Sequence, residues 1–262
     1  MSTTSIKYDE LVKQDKAIND ISKKEYFAEI EIFQQACELI ISLFENSVRT
    51  YREKDQLDYI KLISVRVVQD CRSGLILGLR GLYPQSSSLI RGTLESTFLI
   101  YDFKINPSHE DLWFNGSKTK RKKIFKAGEV KKRIEKVPGK DIKTAISIYN
   151  LLSDWTVHSN MESFLWYIEM TEKMMYYHWA GRYKKSMADM MIFSCLMSLS
   201  HTLFVLVQED IYTFTNAKWV DSFLRWKKNN FIALKKFASI LGIEMYDMKI
   251  APVKIVPAER QG

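Results

Sequence analysis

The feature that most constrains the fold of this chain is an uncharged and mostly apolar stretch, residues 190–207. An 18-residue run of this kind is close to the lower limit for a helix that spans a membrane. Polar side chains nevertheless recur within it at Ser194, Ser198 and His201, and Asp189 and Glu209 flank it. A soluble bundle needs one central helix that is apolar on nearly every side. We therefore predict a buried central helix, with a membrane segment as the alternative.

The composition excludes several classes of protein. Hydrophobic residues make up 46% of the 262 residues, which is enough to bury a large core within one domain. The chain has only 10 glycines and 5 prolines, about half of average usage. An all-β chain needs more turns than this, and a glycine-rich nucleotide-binding enzyme needs more glycine. The composition therefore favours an all-α fold.

The cysteines and the first residues indicate a reducing compartment. Cys37, Cys71 and Cys195 are far apart in sequence and form no CxxC pair, which disfavours a zinc ribbon or a disulfide scaffold. The start, MSTTSIKYDE, lacks the basic and apolar regions of a secretory signal. The four histidines are too dispersed for metal ligands, and GLRG at 78–81 is not a phosphate-binding loop. We predict a cytoplasmic protein with no metal and no cofactor.

Apolar residues recur with helical spacing along most of the chain, beginning with a stripe from Tyr26 to Tyr51 that predicts one long helix. Pro84 ends the second helix and can open the third. Gly74, Gly78 and Gly81 form a row of small residues that would let another helix approach closely. The pattern predicts one all-α domain over residues 1–262, a helical bundle of five to seven main helices. The predicted helices cover residues 26–51, 57–83, 84–105, 141–155, 185–214 and 220–241, the last ended by Gly242.

Three segments are predicted to be appendages of this bundle. Residues 1–21 form a short leading helix, and the proline-containing tail, 243–262, is extended. Residues 161–183 carry two aromatic, β-tolerant runs separated by a polar turn, so they form either a small hairpin or an irregular excursion.

One segment holds the whole charge imbalance of the protein. Residues 118–136 contain ten basic and two acidic residues, and the formal net charge of the chain is +8, so the remainder is neutral. Such a segment can neutralise phosphates and bind RNA or another polyanion without sequence preference. The alternative is a solvated helix face. The candidate nucleic-acid-binding residues are Lys118, Lys120, Arg121, Lys122, Lys123, Lys126, Lys131, Lys132 and Arg133.

Two polar groups are candidates for catalysis. Arg91 and Glu95 are four residues apart and share a helix face, which suits either an ion pair or a charged site, with Asp102 further along the same side. Asp154 and His158 repeat this spacing in SDWTVHSN, where a carboxylate can orient a histidine for acid–base work. The alternative there is a capping cluster at a helix end.

The spacing of Arg91 and Glu95, followed by Leu152, Ser153 and His158, resembles a group of uncharacterised bacterial helical proteins. Those proteins resemble the HEPN superfamily of helical bundles, many of which are dimeric ribonucleases in toxin and phage-defence systems. The resemblance implies a HEPN-like bundle, a homodimer and contact with RNA. The HEPN ribonucleases carry an arginine shortly before the catalytic histidine on the same helix, and this chain has none before His158. Arg91 would have to act from another helix.

Three functions are consistent with these features. The first is a HEPN-like protein that binds RNA through residues 118–136, in which cleavage would use His158 as the base and Arg91 to stabilise phosphate charge. The second is a non-enzymatic, dimeric component that binds a protein partner. The third is a membrane-associated protein that uses residues 190–207. Whether the protein is an enzyme stays open from the sequence.

Overall fold

The fold is described from a computed structural model, which covers residues 8–49, 58–137, 142–156, 168–170, 175–177, 181–208, 212–243 and 245. Helices dominate these residues, so the predicted all-α class is confirmed. The helices are α1 (Tyr8–Glu25), α2 (Phe27–Leu43), α3 (Tyr59–Leu79), α4 (Tyr83–Ile105), α5 (Ser108–Asn115), α6 (Lys118–Ile124), α7 (Ala127–Glu135), α8 (Lys143–Thr156), α9 (Lys185–Gln208) and α10 (Ala217–Leu241). The strands are β1 (Ser47–Arg49), β2 (Ile168–Met170), β3 (Met175–Tyr177) and β4 (Tyr212–Phe214).

Helix α9 is the central element of the bundle. It packs against α2, α3, α4, α8 and α10, and its apolar side chains belong to a single hydrophobic core. Residues Lys185–Val207 are long and apolar enough to suit a membrane span, yet residues 187–207 are all buried inside the protein. The predicted buried central helix is therefore confirmed, but its predicted end at residue 214 is wrong, because Tyr212–Phe214 forms strand β4.

The glycine row of α3 lets two helices approach closely. A Cβ atom on Gly74 would lie 2.9 Å from Ile90 Cγ1 of α4, and one on Gly78 would lie 3.2 Å from Met191 Cβ of α9. The Ser86 hydroxyl also donates to the Gly74 carbonyl at 2.7 Å. The predicted close approach is confirmed, but the partners are helices of the same chain. This row is therefore not a surface for a second copy.

The long first helix predicted from Tyr26 to Tyr51 is wrong at its end. Helix α2 stops at Leu43, and Ser47–Arg49 pairs antiparallel with Tyr212–Phe214 as β1 with β4. The Asn46 amide donates to the Ser42 carbonyl at 2.8 Å, and the Ser47 hydroxyl donates to the Leu43 carbonyl at 2.6 Å. These side chains satisfy carbonyls that a continuing helix would use. The apolar spacing continued past the point where the polar residues end the helix.

The described residues contain ten helices, more than the predicted five to seven main ones, because the chain between α4 and α8 forms three short helices. The described part of the leading helix covers Tyr8–Glu25 and continues past the predicted end at residue 21, while residues 1–7 lie outside the described residues. Strands β2 and β3 pair antiparallel, as a hairpin within 161–183 would. Gly242 ends α10 in the left-handed conformation at φ 65°, as predicted. The tail from residue 246 onwards lies outside the described residues.

Candidate nucleic-acid interface

The basic segment is folded into two consecutive helices, α6 and α7. Ser117 caps α6 by accepting a hydrogen bond from the Lys120 backbone amide at 3.4 Å. Five lysines on or beside α6 are exposed, and none of them forms a direct ion pair within the described part of the chain, although the charge of Lys126 contributes to the lowered pKa of Glu129. We call these five the lysine surface: Lys118, Lys120, Lys122, Lys123 and Lys126. Lys132 is also exposed, but its ammonium contacts Glu129 at 3.1 Å.

The apolar residues of the segment attach it to the bundle. Phe125 is buried and meets the rings of Phe103, His109 and Trp113 edge-on, with centroids 6.1, 5.5 and 4.9 Å away. Val130 and Ile134 of α7 are also buried in the core. A mobile lysine-rich loop would bury none of these side chains. The lysines are therefore carried on a packed surface.

A buried carboxylate on α4 also attaches the basic segment to the bundle. Asp102 of α4 is fully buried, and Arg133 of α7 donates to both of its oxygens, from Nε at 2.7 Å and from Nη2 at 2.9 Å. The third Arg133 nitrogen, Nη1, donates to the Ile124 carbonyl at the end of α6, at 2.9 Å. Bidentate pairs of this kind fix geometry as well as charge. Arg133 thus connects α4, α6 and α7.

His109 is the second partner of this carboxylate. Its Nδ1 lies 2.8 Å from Asp102 Oδ2, and its side chain keeps 21% of its surface exposed. Asp102 was expected on the same side as Arg91 and Glu95, but it pairs with Arg133 and His109 instead. Arg133 is one of the predicted nucleic-acid contacts, but its guanidinium is bound to Asp102. Arg121, another predicted contact, is half-buried and donates to the Trp113 carbonyl at 3.4 Å.

Arg91 and Glu95 form the predicted ion pair, with Arg91 Nη2 2.6 Å from Glu95 Oε1. Tyr149 of α8 donates its hydroxyl proton to the same carboxylate oxygen at 2.9 Å. The Lys131 ammonium of α7 lies 4.2 Å from the centre of the Tyr149 ring and donates to Asn150 at 3.1 Å. Partial burial lowers the pKa of Lys131. This cluster therefore joins α4, α7 and α8, and Lys131 belongs to it rather than to the open lysine surface.

The second predicted catalytic group is only partly described. Asp154 lies near the end of α8 and is exposed. His158 lies outside the described residues, so the predicted Asp154–His158 pairing and any approach of His158 to Arg91 stay predictions. The structure does bring together Arg91 and Glu95.

The three cysteines, far apart in sequence, are neighbours in the core. Cys71 Sγ lies 3.6 Å from the Cys195 carbonyl oxygen, and all three thiols are free. Burial, together with the nearby Cys195, raises the pKa of Cys37 to about 12. Burial likewise raises the pKa of Cys71. Both thiols are therefore protonated and unreactive near neutral pH.

A cleft of about 550 Å³ lies between α2 and α10, away from all of these residues. Its lining includes Glu38, Arg225 and the largely buried Trp219 and Trp226. None of the candidate residues from the sequence lines it. Among the described residues, no group of three or more His, Cys, Asp or Glu is placed to hold a metal ion.

The chain matches no known protein family, and neither the curated proteins nor the solved structures contain a match to it. The HEPN resemblance therefore depends on Arg91, Glu95, Leu152, Ser153 and His158 alone. The polar group that sequence reasoning missed is the triad of Asp102, His109 and Arg133. Its only sequence signal was an acidic residue within the apolar stretch LIYDF, which a buried position would require to be paired.

Proposed function

We propose that this protein binds RNA, or a polyanion of the same charge density, through the lysine surface and without sequence preference. The observation that carries the proposal is that five unpaired lysines extend from helices anchored by Phe125 and by the Asp102–Arg133 pair. Because the helices that carry these lysines are already packed, their backbone does not have to be ordered when the lysines meet phosphates. The rest of the chain is neutral, so its charge does not compete with the lysine surface.

The size of the expected effect follows from counterion release. Each phosphate neutralised on a single strand contributes a slope of about −0.7 to the logarithm of affinity against the logarithm of salt concentration. With five contacts the slope is about −3.5, and affinity falls about 100-fold between 50 and 200 mM salt. Arg133 and Lys131 are left out of this count because Asp102 and Tyr149 already engage them.

The HEPN resemblance extends this proposal to a homodimer, a toxin or phage-defence context and RNA cleavage. Cleavage would require His158 to approach Arg91, whose guanidinium already pairs with Glu95. RNA binding does not depend on these residues. We therefore propose binding as the primary function and treat cleavage as a separate outcome of the same experiment.

The test is a binding titration of labelled single-stranded RNA at 50 and 200 mM salt, with cleavage scored in the same samples. The informative variant is the triple substitution Lys120→Glu, Lys122→Glu and Lys123→Glu. Its matched control is Lys13→Glu, Lys16→Glu and Lys24→Glu, which makes the same charge change at exposed positions of α1. His158→Ala completes the set.

We expect salt-sensitive binding that the α6 variant loses by at least 30-fold and the α1 control retains. Equal losses in both variants would show that net charge, rather than the lysine surface, drives binding. Absence of binding at 50 mM salt would overturn the proposal and make a protein partner the next candidate. Cleavage that His158→Ala abolishes would establish a ribonuclease with an unusually placed arginine.

A further inference from the structure

The side chain of His109 is held in one orientation and one protonation pattern. Its only hydrogen-bond partner in the described part of the chain is Asp102, which meets Nδ1 at 2.8 Å. Both Asp102 oxygens accept hydrogen bonds from Arg133, so Oδ2 meets His109 as an acceptor as well. In the neutral ring the proton must therefore be on Nδ1, which leaves the lone pair on Nε2.

Nε2 is directed away from Asp102, at the part of the ring that stays accessible. The side chain keeps 21% of its surface exposed, and Phe125 supports the ring edge-on at a centroid distance of 5.5 Å. Lys126, which follows Phe125, belongs to the lysine surface. An accessible nitrogen lone pair next to a cationic surface is suited to meet a phosphorylated molecule.

We propose that His109 is a phosphorylation site, at which Nε2 accepts a phosphoryl group from an acyl phosphate. In this step the Nε2 lone pair attacks phosphorus and a P–N bond forms. The bond between phosphorus and the acyl oxygen breaks, and the carboxylate leaves with the electron pair. No proton has to move, because the ring keeps its Nδ1 proton and becomes an imidazolium.

Asp102 is a positioning residue for this step. The positive charge that develops on the ring during attack faces a buried carboxylate 2.8 Å from Nδ1. Attraction at this distance offsets part of the charge that attack places on the ring, although Arg133 shares the same carboxylate. The same contact blocks Nδ1, so phosphorylation is confined to Nε2. An unconstrained histidine offers both nitrogens, so the isomer formed distinguishes this site from an ordinary exposed histidine.

The experiment incubates the full chain with acetyl phosphate near pH 8 and follows the product by ³¹P NMR and by mass spectrometry of alkaline digests. The other three histidines of the chain serve as internal controls, and His109→Gln removes the site. We expect phosphorylation at His109, as the Nε2 isomer, at least ten-fold faster than at any other histidine. The urea-unfolded chain should lose this preference.

Two results would overturn the proposal. One is the absence of phosphate on His109, and the other is a rate or an isomer mixture equal to that of the unfolded chain. Asp102→Asn tests the positioning role, with its fold checked by circular dichroism. We expect at least ten-fold slower phosphorylation and loss of the isomer preference in a folded variant. The comparison among the four histidines needs no variant, so the proposal stays testable if Asp102→Asn does not fold.

Discussion

Asp102 connects four helices through one carboxylate. It belongs to α4, and its partners lie on α5 and α7, with the Arg133 guanidinium extending the contact to the end of α6. A fully buried charge is stable only when it is paired and hydrogen-bonded, and both conditions are met here. Replacing Asp102 therefore lowers the stability of the fold, because Arg133 and His109 both lose the carboxylate that they contact.

We expect Asp102→Asn to lower the free energy of unfolding by about 2–4 kcal/mol, because it leaves the half-buried Arg133 charge without its counter-charge. The matched control is Asp70→Asn, which removes a surface pair with Arg66 whose side chain is 66% exposed. That change should cost less than about 1 kcal/mol. Urea unfolding monitored by circular dichroism measures both values. Similar small losses in the two variants would show that the buried pair contributes little.

At the residue scale, the sequence predicts ion pairs within one helix but not ion pairs between two helices. Arg91 and Glu95 were predictable because residues four apart share a face. Arg133 lies 31 residues from Asp102, and no local spacing connects them. The same limit applies to Tyr149, which completes the Arg91–Glu95 pair from α8.

At the scale of elements, the turn between α3 and α4 depends on a glycine. Gly81 adopts φ 76°, in the left-handed region, and a Cβ atom there would lie 2.5 Å from the Arg182 carbonyl oxygen. Both the backbone conformation and the space exclude a side chain. This contact brings the chain before α9 against the end of α3.

We expect Gly81→Ala to destabilise the protein by about 2 kcal/mol or more, through the left-handed backbone and the clash with Arg182. The control is Gly128→Ala, at a helical position of α7 where no atom lies within 4 Å of the added methyl group. That change should stabilise the protein by about 0.5–1 kcal/mol, because alanine loses less entropy than glycine in a helix. Thermal and urea unfolding of both variants provide the measurement, and a neutral Gly81→Ala would contradict the contact.

Helix existence was predictable at this scale, whereas two helix ends, that of α2 and that of α9, were not. The apolar spacing identified the core faces of α2, α3, α4, α8 and α10 because a packed bundle needs a continuous apolar stripe. The end of α2 depends on Asn46 and Ser47 binding backbone carbonyls and on the pairing of β1 with β4, which follows more than 160 residues later. Local periodicity carries no information about that distant strand.

At the scale of the whole molecule, an apolar interior and a charged exterior are separated clearly. The central helix α9 is covered on all sides by other helices, and the positive charge lies on α6 and α7. The burial of α9 could be predicted because its serines and flanking acidic residues suit a helix covered by protein better than one covered by lipid. The anchoring of the basic segment could not be predicted, since it depends on Asp102.

We expect the full chain, expressed without detergent, to stay in the supernatant after ultracentrifugation and to elute as a single species in gel filtration. The physical reason is that residues 187–207 of α9 are buried within the protein, so they present no apolar surface to lipid. Recovery only from the membrane fraction, or only with detergent, would contradict the buried position of α9 and favour the membrane-associated alternative.

The place of α9 in the chain has a consequence for synthesis. The central helix is the last but one of the described helices, although α2, α3 and α4 all pack against it. During translation those three helices emerge first, with their apolar faces turned toward a partner that has not been made. The bundle cannot close until residue 208 has left the ribosome, so the apolar faces that pack on α9 stay exposed for most of the synthesis of the chain.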